Sequence, residues 1–221
     1  MRSPLFGQHQ ETATSERMAL QNPHLLRVRL DGELLARQGA MVAYQGAVDF
    51  VYEGSGSVGR FLKKALTGEG LPLMRCTGRG DLFLARDGRE LFLVELEDET
   101  LTVNGDNLLA FDPGLSWDVR RVEGASVLAG GLFNTVLSGR GTAVLSSYGT
   151  PVVLDTGEAP TFADLQSAIA WSEQQTSVRR TATASALIGR GSGEAFQLAF
   201  GGPGFVVVQS SEGPVVPPHQ H

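Results

Sequence analysis

Short segments that mix apolar and polar positions, each bounded by Gly, Asp-Gly or Pro, recur along the chain. Examples are LLRVRL (Leu25 to Leu30), DLFLAR (Asp81 to Arg86), ELFLVEL (Glu90 to Leu96) and TAVLSS (Thr142 to Ser147). Runs this short, with turn formers at both ends, suit strands better than helices, which need about ten residues to develop an apolar face. The Asp-Gly pairs Asp31-Gly32 and Asp87-Gly88 accept positive φ readily, so they predict tight hairpins between antiparallel neighbours. Two stretches depart from this pattern. In GRFLKKALTGEG (Gly59 to Gly70), Phe61, Leu62, Ala65 and Leu66 fall at helical spacing and predict one or two helical turns. FADLQSAIAW (Phe162 to Trp171) reads equally well as helix or strand.

The pattern also repeats. TGRGDLFLAR (Thr77 to Arg86) and SGRGTAVLSS (Ser138 to Ser147) share a Gly-Arg-Gly turn followed by a strand, about 60 residues apart. At nearly the same spacing Phe92-Leu93-Val94 matches Val152-Val153-Leu154, Leu109-Ala110-Phe111 matches Ile169-Ala170-Trp171, and Val119-Arg120-Arg121 matches Val178-Arg179-Arg180. A third Gly-Arg-Gly opens IGRGSGEAFQLAF (Ile188 to Phe200). Near the N-terminus, QGAMVAYQGAVDF (Gln38 to Phe50) aligns with DNLLAFDPGLSW (Asp106 to Trp117), placing Val42-Ala43-Tyr44 on Leu109-Ala110-Phe111 and Phe50 on Trp117. A first half at the C-terminus and a second half at the N-terminus predict three related lobes: residues 24–56 with 186–211, closed by both chain ends, then 73–122, then 133–181. Residues 1–22 read as a flexible leader and 212–221 as a flexible tail. A unit of roughly 50 residues cannot bury a stable core alone, so the three are expected to form one compact body.

Composition sharpens this reading. The chain carries 28 glycines in 221 residues, nearly twice the usual share of about 7%, which favours many short elements joined by tight turns. A formal net charge of −6 repels a phosphate backbone, so a nucleic-acid partner is not expected. One cysteine, Cys76, excludes an internal disulfide framework and suits a reducing cytoplasm. The histidines are His9, His24, His219 and His221, so a metal centre or a Ser-His triad lacks its parts across the body of the chain. No catalytic residue, metal ligand or cofactor is assigned. The first 22 residues carry Glu11 and Glu16 without a continuous apolar core, unlike a presequence, and no apolar run approaches the ~18 to 20 residues of a membrane-spanning helix.

Several residues remain as candidates. Gly-rich loops cradle phosphate when they lead into a helix, whereas each Gly-Arg-Gly here leads into a strand, so a structural turn is expected at Arg79, Arg140 and Arg190. The third copy, GRGSGE (Gly189 to Glu194), groups Arg190 with Ser192 and Glu194 and is where a ligand pocket would be sought first. The carboxylates of ELEDE (Glu95 to Glu99) read as a solvated turn at a strand end. Arg75 could lower the pKa of Cys76, but a thiol beside Leu73 and Met74 on a strand is more often simply buried. Trp117 and Trp171 end equivalent halves and are expected in lobe-to-lobe packing. In the 59–70 insertion, Arg60, Lys63 and Lys64 flank Phe61, Leu62 and Leu66; this basic amphipathic segment reads as a partner or anionic-membrane contact, or as a cap on a sheet end.

The segments LTGEGLPLMRCTGRGDLFLA (Leu66 to Ala85), VNGDNLLAFDPGLSWDVRRV (Val103 to Val122), GGLFNTVLSGRGTAVLSSYGTPVVLD (Gly130 to Asp155), IGRGSGEAFQLAF and GFVVVQSSE (Gly204 to Glu212) carry a family likeness. In their order and spacing they resemble the bacterial branch of the mitochondrial-biogenesis family named for altered inheritance of mitochondria, from about Leu25 to Glu212. The resemblance implies a double-stranded β-helix like that of the tryptophan RNA-binding attenuation protein, repeated within one chain, and brings no active site with it. The expectation is an all-β body of three pseudo-symmetric double-stranded β-helix or sandwich lobes. It would serve a non-catalytic assembly or scaffold role in the cytoplasm as a homo-oligomer or with another protein, with peripheral membrane contact as a further partner expectation. The alternative is a small-ligand or nucleic-acid-binding module.

Overall fold

The computed structural model describes residues 2–52, 72–121, 133–173, 175–180 and 196–211. A single helical turn, Leu5–Gln8, precedes fourteen strands in the described residues. They are β1 (Met18–Asn22), β2 (Leu25–Arg37), β3 (Met41–Tyr52), β4 (Leu73–Leu84), β5 (Glu90–Asn104), β6 (Leu108–Phe111), β7 (Ser116–Arg121), β8 (Phe133–Ser147), β9 (Val152–Asp155), β10 (Thr161–Asp164), β11 (Ala168–Ser172), β12 (Gln175–Arg180), β13 (Phe196–Gly201) and β14 (Phe205–Val208). The expected all-β class stands. One large sheet runs β3-β4-β2-β6-β8-β5-β11-β14-β9, with β1 added to β2 and β7 to β8, and a small sheet runs β10-β13-β12. The pairings are antiparallel throughout.

Local chemistry explains where the chain turns. FADLQSAIAW resolves into β10, a turn at 165–167 and β11, because the Asp164 carboxylate accepts the backbone N–H groups of Gln166 at 2.7 Å and Ser167 at 3.2 Å. Asp87 and Gly88 both take positive φ, 47° and 67°, and Arg89 N–H closes the turn on the Arg86 carbonyl at 2.7 Å. The strands it joins are nevertheless not a hairpin: β4 pairs with β2 and β3, while β5 pairs with β8 and β11.

Three expected turns lie inside strands instead. β2 runs unbroken through Asp31-Gly32, with Gly32 facing Gly78 of β4. Gly78-Arg79-Gly80 sits in the middle of β4, paired with β2 on one side and β3 on the other, and Gly139-Arg140-Gly141 sits in the middle of β8, paired with β5. The glycines serve close approach. A β-carbon on Gly78 would lie 2.2 Å from the Ala47 carbonyl oxygen, and one on Gly80 2.0 Å from that of Gln45. Only glycine lets β3 cross β4 at this separation.

Three of the pairing registers run through the apolar strands as follows. Arg29 faces Asp81 and Val28 faces Leu82; Glu95 faces Thr142 and Val94 faces Ala143; Asp155 faces Phe205 and Leu154 faces Val206. Gly202-Pro203-Gly204 directly precedes Phe205, and Gly139-Arg140-Gly141 directly precedes Thr142. The expected third copy at Gly189 to Gly191 lies outside the described residues. β13 and β14, the described part of 186–211, pair with β10, β12, β11 and β9 rather than with residues 24–56.

Among the described residues, three apolar clusters sit along the sheets. The first gathers Leu26, Val28, Leu30, Leu34, Cys76, Leu82 and Leu84, the second Leu101, Val103, Phe111, Leu137 and Leu145, and the third Ala163, Leu165, Trp171, Leu198, Phe200 and Val206. Trp117 packs on the second, edge-on to Phe111 at 6.2 Å, and Trp171 meets Phe200 edge-on at 5.6 Å. Both tryptophans thus pack on apolar clusters, as the sequence suggests.

Candidate functional site

Two places stand out: the ends of the large sheet, and an arginine cluster between two turns. The sheet ends follow from a repeated defect. β6 adds to β2 through Leu35 facing Phe111 and Ala36 facing Ala110, and β11 adds to β5 through Thr102 facing Trp171 and Val103 facing Ala170. Each incoming strand carries a β-bulge, at Leu109 in β6 and at Ile169 in β11, where the register slips by one residue. Both bulged side chains are fully buried, Leu109 in the first cluster and Ile169 in the second. β3 has the same bulge, between Met41 and Ala43. There, however, Val42 is 59% exposed, and Met41, Tyr44 and Val51 are exposed with it. Among the described residues β3 pairs with β4 alone. At the other end of the sheet β9 exposes Val152, Val153 and Leu154. Uncovered apolar strands at sheet ends invite pairing with another chain.

The arginine cluster forms where the Arg86-Asp87-Gly88-Arg89 turn faces the Asn104-Gly105-Asp106-Asn107 turn. The first turn sets Arg86 and Arg89 side by side. In the second, the Asn104 side chain accepts the Asp106 N–H at 3.1 Å and the Asn104 carbonyl accepts that of Asn107 at 2.8 Å, so Asp106 projects from the tip. Arg86 Nη2 donates to Asp106 Oδ1 at 2.5 Å, and Arg89 Nη1 to Asp106 Oδ2 at 2.9 Å. Arg86 also donates to the Asp106 carbonyl. Arg37, at the end of β2, donates to the Gly105 carbonyl at 2.9 Å and lies 3.6 Å from Asp106 Oδ1. Arg89 Nη2 donates to Tyr148 Oη at 2.6 Å, and its guanidinium lies 3.9 Å from that ring's centroid.

Electrostatics in this cluster are lopsided. Burial lowers the Arg37 pKa to about 10, helped by the like charges of Arg86 and Arg89, and burial lowers that of Arg86 too. Burial alone would raise the Asp106 pKa; Arg86 and Arg89 more than reverse this and hold it below the ordinary carboxylate value. The Arg89 side chain is only 3% exposed, and its Nε has no hydrogen-bond partner among the described residues. The arrangement staples the end of β2 and the β4–β5 turn to the β5–β6 turn. The sequence shows the Asp-Gly turn that aligns Arg86 with Arg89, but nothing in it pairs them with Arg37 and Asp106, which the sheet brings in from elsewhere.

The residues singled out by sequence fall as follows. Arg60, Phe61, Leu62, Lys63, Lys64 and Leu66, and likewise Arg190, Ser192 and Glu194, lie outside the described residues. Arg79 pairs with Asp31 at 3.0 Å and Arg140 with Asp98 at 2.6 Å, both on the exposed surface. Cys76 is fully buried and its thiol pKa is pushed up to about 11 by that burial. Its neighbour Arg75, on the next position of the strand, bonds Glu33 at 2.7 Å. Glu95 to Glu99 lie within β5, not at its end: the register shifts between Glu97 and Glu99, Asp98 has φ 66°, and Leu96 alone of the five is buried. Among the described residues, no three or more His, Cys, Asp or Glu side chains group as metal ligands, and no helix is long and apolar enough to cross a membrane.

Comparison with known proteins agrees with this fold. No curated protein matches the chain. The X-ray crystal structure of protein SPYM3_0169 from Streptococcus pyogenes is similar at a TM-score of 0.73 and 23% sequence identity, covering 88% of this chain and 92% of that one. At that identity the likeness establishes a shared fold. The family model described as mitochondrial biogenesis AIM24 matches residues 18–211, nearly the whole span over which the strands and their three clusters are built, and the chain belongs to that family.

Proposed function

We propose that this protein is a non-catalytic assembly protein that works in the cytoplasm by associating with further copies of itself. The observation that carries this reading is β3 at one end of the large sheet, where Met41, Val42, Tyr44 and Val51 are exposed and, among the described residues, β4 is the strand's one pairing partner. Water gains by covering such a surface, and antiparallel pairing or packing with a second chain covers it. The test is sedimentation analysis of the purified chain from about 1 to 100 μM, the range over which interfaces of modest size associate. A mean mass above the 23.5 kDa of the single chain, rising with concentration, is expected. A mass fixed at the single-chain value across that range overturns the reading.

A second reading, a small-ligand module, draws on the arginine cluster. Three guanidinium groups surround one closely bound carboxylate, and a buried N–H of Arg89 is unmatched, so an oxyanion is the ligand class that suits it. Inorganic phosphate should then raise the melting temperature saturably beyond chloride at equal ionic strength. Equal shifts from the two salts remove this reading.

A further inference from the structure

The arginine cluster holds more positive charge than its own acid answers. Arg37, Arg86 and Arg89 converge on the single Asp106 carboxylate, and the side chains of Arg86 and Arg89 are buried. The other carboxylate that acts on these arginines, Asp87, lies 3.9 Å from Arg86 and is 76% exposed, so water screens it. A staple between two turns needs one guanidinium for one carboxylate. Two surplus guanidinium charges, together with the buried Arg89 Nε that lacks a partner among the described residues, mark a place for more negative charge than one aspartate brings.

The donors are held by more than that carboxylate. Arg37 donates to the Gly105 carbonyl at 2.9 Å, Arg86 to the Asp106 carbonyl, and Arg89 to Tyr148 Oη at 2.6 Å with its guanidinium over the ring. Because Tyr148 Oη accepts from Arg89, its own O–H remains to donate. The turn that carries Asp106 is anchored through its flanks. Asn104 Nδ2 donates to the Leu165 and Ala168 carbonyls at 3.3 and 3.4 Å, and Asn107 Nδ2 to the Ser146 carbonyl at 2.8 Å. Between these anchors the Asp106 side chain is 39% exposed, so its carboxylate can swing into water while the turn and the arginines stay in place.

We propose that a phosphoryl dianion, free or as a monoester, exchanges with the Asp106 carboxylate on Arg37, Arg86, Arg89 and Tyr148. This proposal rests on the small-ligand reading above and adds the charge of the ligand and its route of entry. A phosphate monoester carries about −1.5 to −2 at neutral pH and three terminal oxygens, against one charge and two oxygens for a carboxylate. It leaves about one guanidinium charge unmatched where the aspartate leaves two. Its third oxygen meets Arg37 Nη2, which at 3.6 Å from Asp106 Oδ1 is beyond hydrogen-bond reach, and it accepts the Tyr148 O–H. Asp106 is then a resident stand-in that keeps the site closed.

Calorimetric titration of the full chain at about pH 8 and constant ionic strength tests this, with inorganic phosphate, glycerol phosphate and acetate as the probes. Both phosphates should bind saturably, and acetate roughly tenfold more weakly. The tighter of the two phosphates tells whether a monoester or the free ion is the better fit. Asp106→Asn removes the resident charge and should tighten phosphate binding roughly tenfold, because the site no longer has to be won from a carboxylate. Asp87→Asn makes the same change of net charge at a residue whose φ of 47° asparagine tolerates, and should stay within about twofold of the parent. Arg89 is buried and its replacement endangers the fold, so the partly exposed Arg37 serves as the site variant: Arg37→Gln should weaken binding roughly tenfold. If the parent binds no phosphate, the small-ligand reading itself fails, and if Arg37→Gln binds as the parent does, phosphate lies elsewhere and this site is overturned. If phosphate binds here but acetate matches it, or Asp106→Asn binds no tighter than Asp87→Asn, an anion site stands and the exchange of Asp106 for a dianion is overturned.

Discussion

Replacing Gly78 with Ala places a methyl carbon 2.2 Å from the Ala47 carbonyl oxygen, where β-carbons otherwise stay beyond about 3.0 Å. The obstacle is backbone, held in the β3–β4 ladder by Gly78 facing Val48, so it cannot swing aside as a side chain does. Gly32, directly opposite in β2, supplies the control. Its φ of 115° is nearly the 119° of Gly78, yet nothing lies within 4 Å of its missing β-carbon. Gly32→Ala therefore reports backbone strain alone, about 1 to 3 kcal/mol. Gly78→Ala adds the cost of forcing two strands apart, typically a further 1 to 3 kcal/mol for an overpacked site. Urea unfolding followed by tryptophan fluorescence reads both variants, and the midpoints compare directly if the denaturant slope is unchanged. The expected excess for Gly78→Ala is about 1 to 3 kcal/mol, near 2 to 4 °C of melting temperature for each kcal/mol in a chain of this size. Should the two variants agree within about 0.5 kcal/mol, the close crossing of β3 over β4 is not a constraint and the reason given for the mid-strand glycines is wrong.

Truncating the buried bulge residue by Ile169→Ala should cost about 2 to 5 kcal/mol in urea unfolding, whereas Val42→Ala, at the equivalent exposed position, should stay within about 0.5 kcal/mol when measured on dilute protein. Cys76 should resist thiol reagents at neutral pH unless the chain unfolds. Because its folded pKa is raised from 9.0 to about 11, the stability it contributes is complete below pH 9 and is lost as pH rises toward 11, which Cys76→Ala should abolish in an alkaline melting series. Asp106 has the opposite sign: its depressed folded pKa contributes stability above the ordinary carboxylate value of 3.8 that is lost as pH falls through the lower folded value, so Asp106→Asn should flatten the acid limb of the melting profile. Deleting residues 196–211 strips β13 and β14 from the third cluster and uncovers Ala163 and Trp171; a dye that binds exposed apolar surface should respond strongly, and a sharp, unshifted melt would contradict the pairing described.

Local chemistry made much of this protein legible from its residues. The apolar segments between glycines became strands, Asp87-Gly88 became a turn because both residues tolerate positive φ, and the alignment of Val42-Ala43-Tyr44, Leu109-Ala110-Phe111 and Ile169-Ala170-Trp171 marks three bulges at equivalent positions. These are properties of a few neighbouring residues, and a repeat preserves them. What sequence could not determine depends on contacts between distant segments. Gly-Arg-Gly is read as a turn because glycine ends strands in isolation, but β4 is held between the β2 and β3 ladders, where glycine admits the close approach of β3, and β8 is held through its motif by the β5 ladder. Strand partners are invisible for a related reason: β13 and β14 pair with β9 to β12, and those contacts join segments that no local pattern links. The arginine cluster assembles only when β2, the β4–β5 turn and the β5–β6 turn meet, so no spacing along the chain encodes it. Val42 and Ile169 occupy matching positions in sequence, one exposed and one buried, because burial belongs to the neighbour, and among the described residues only Ile169 has strands on both sides.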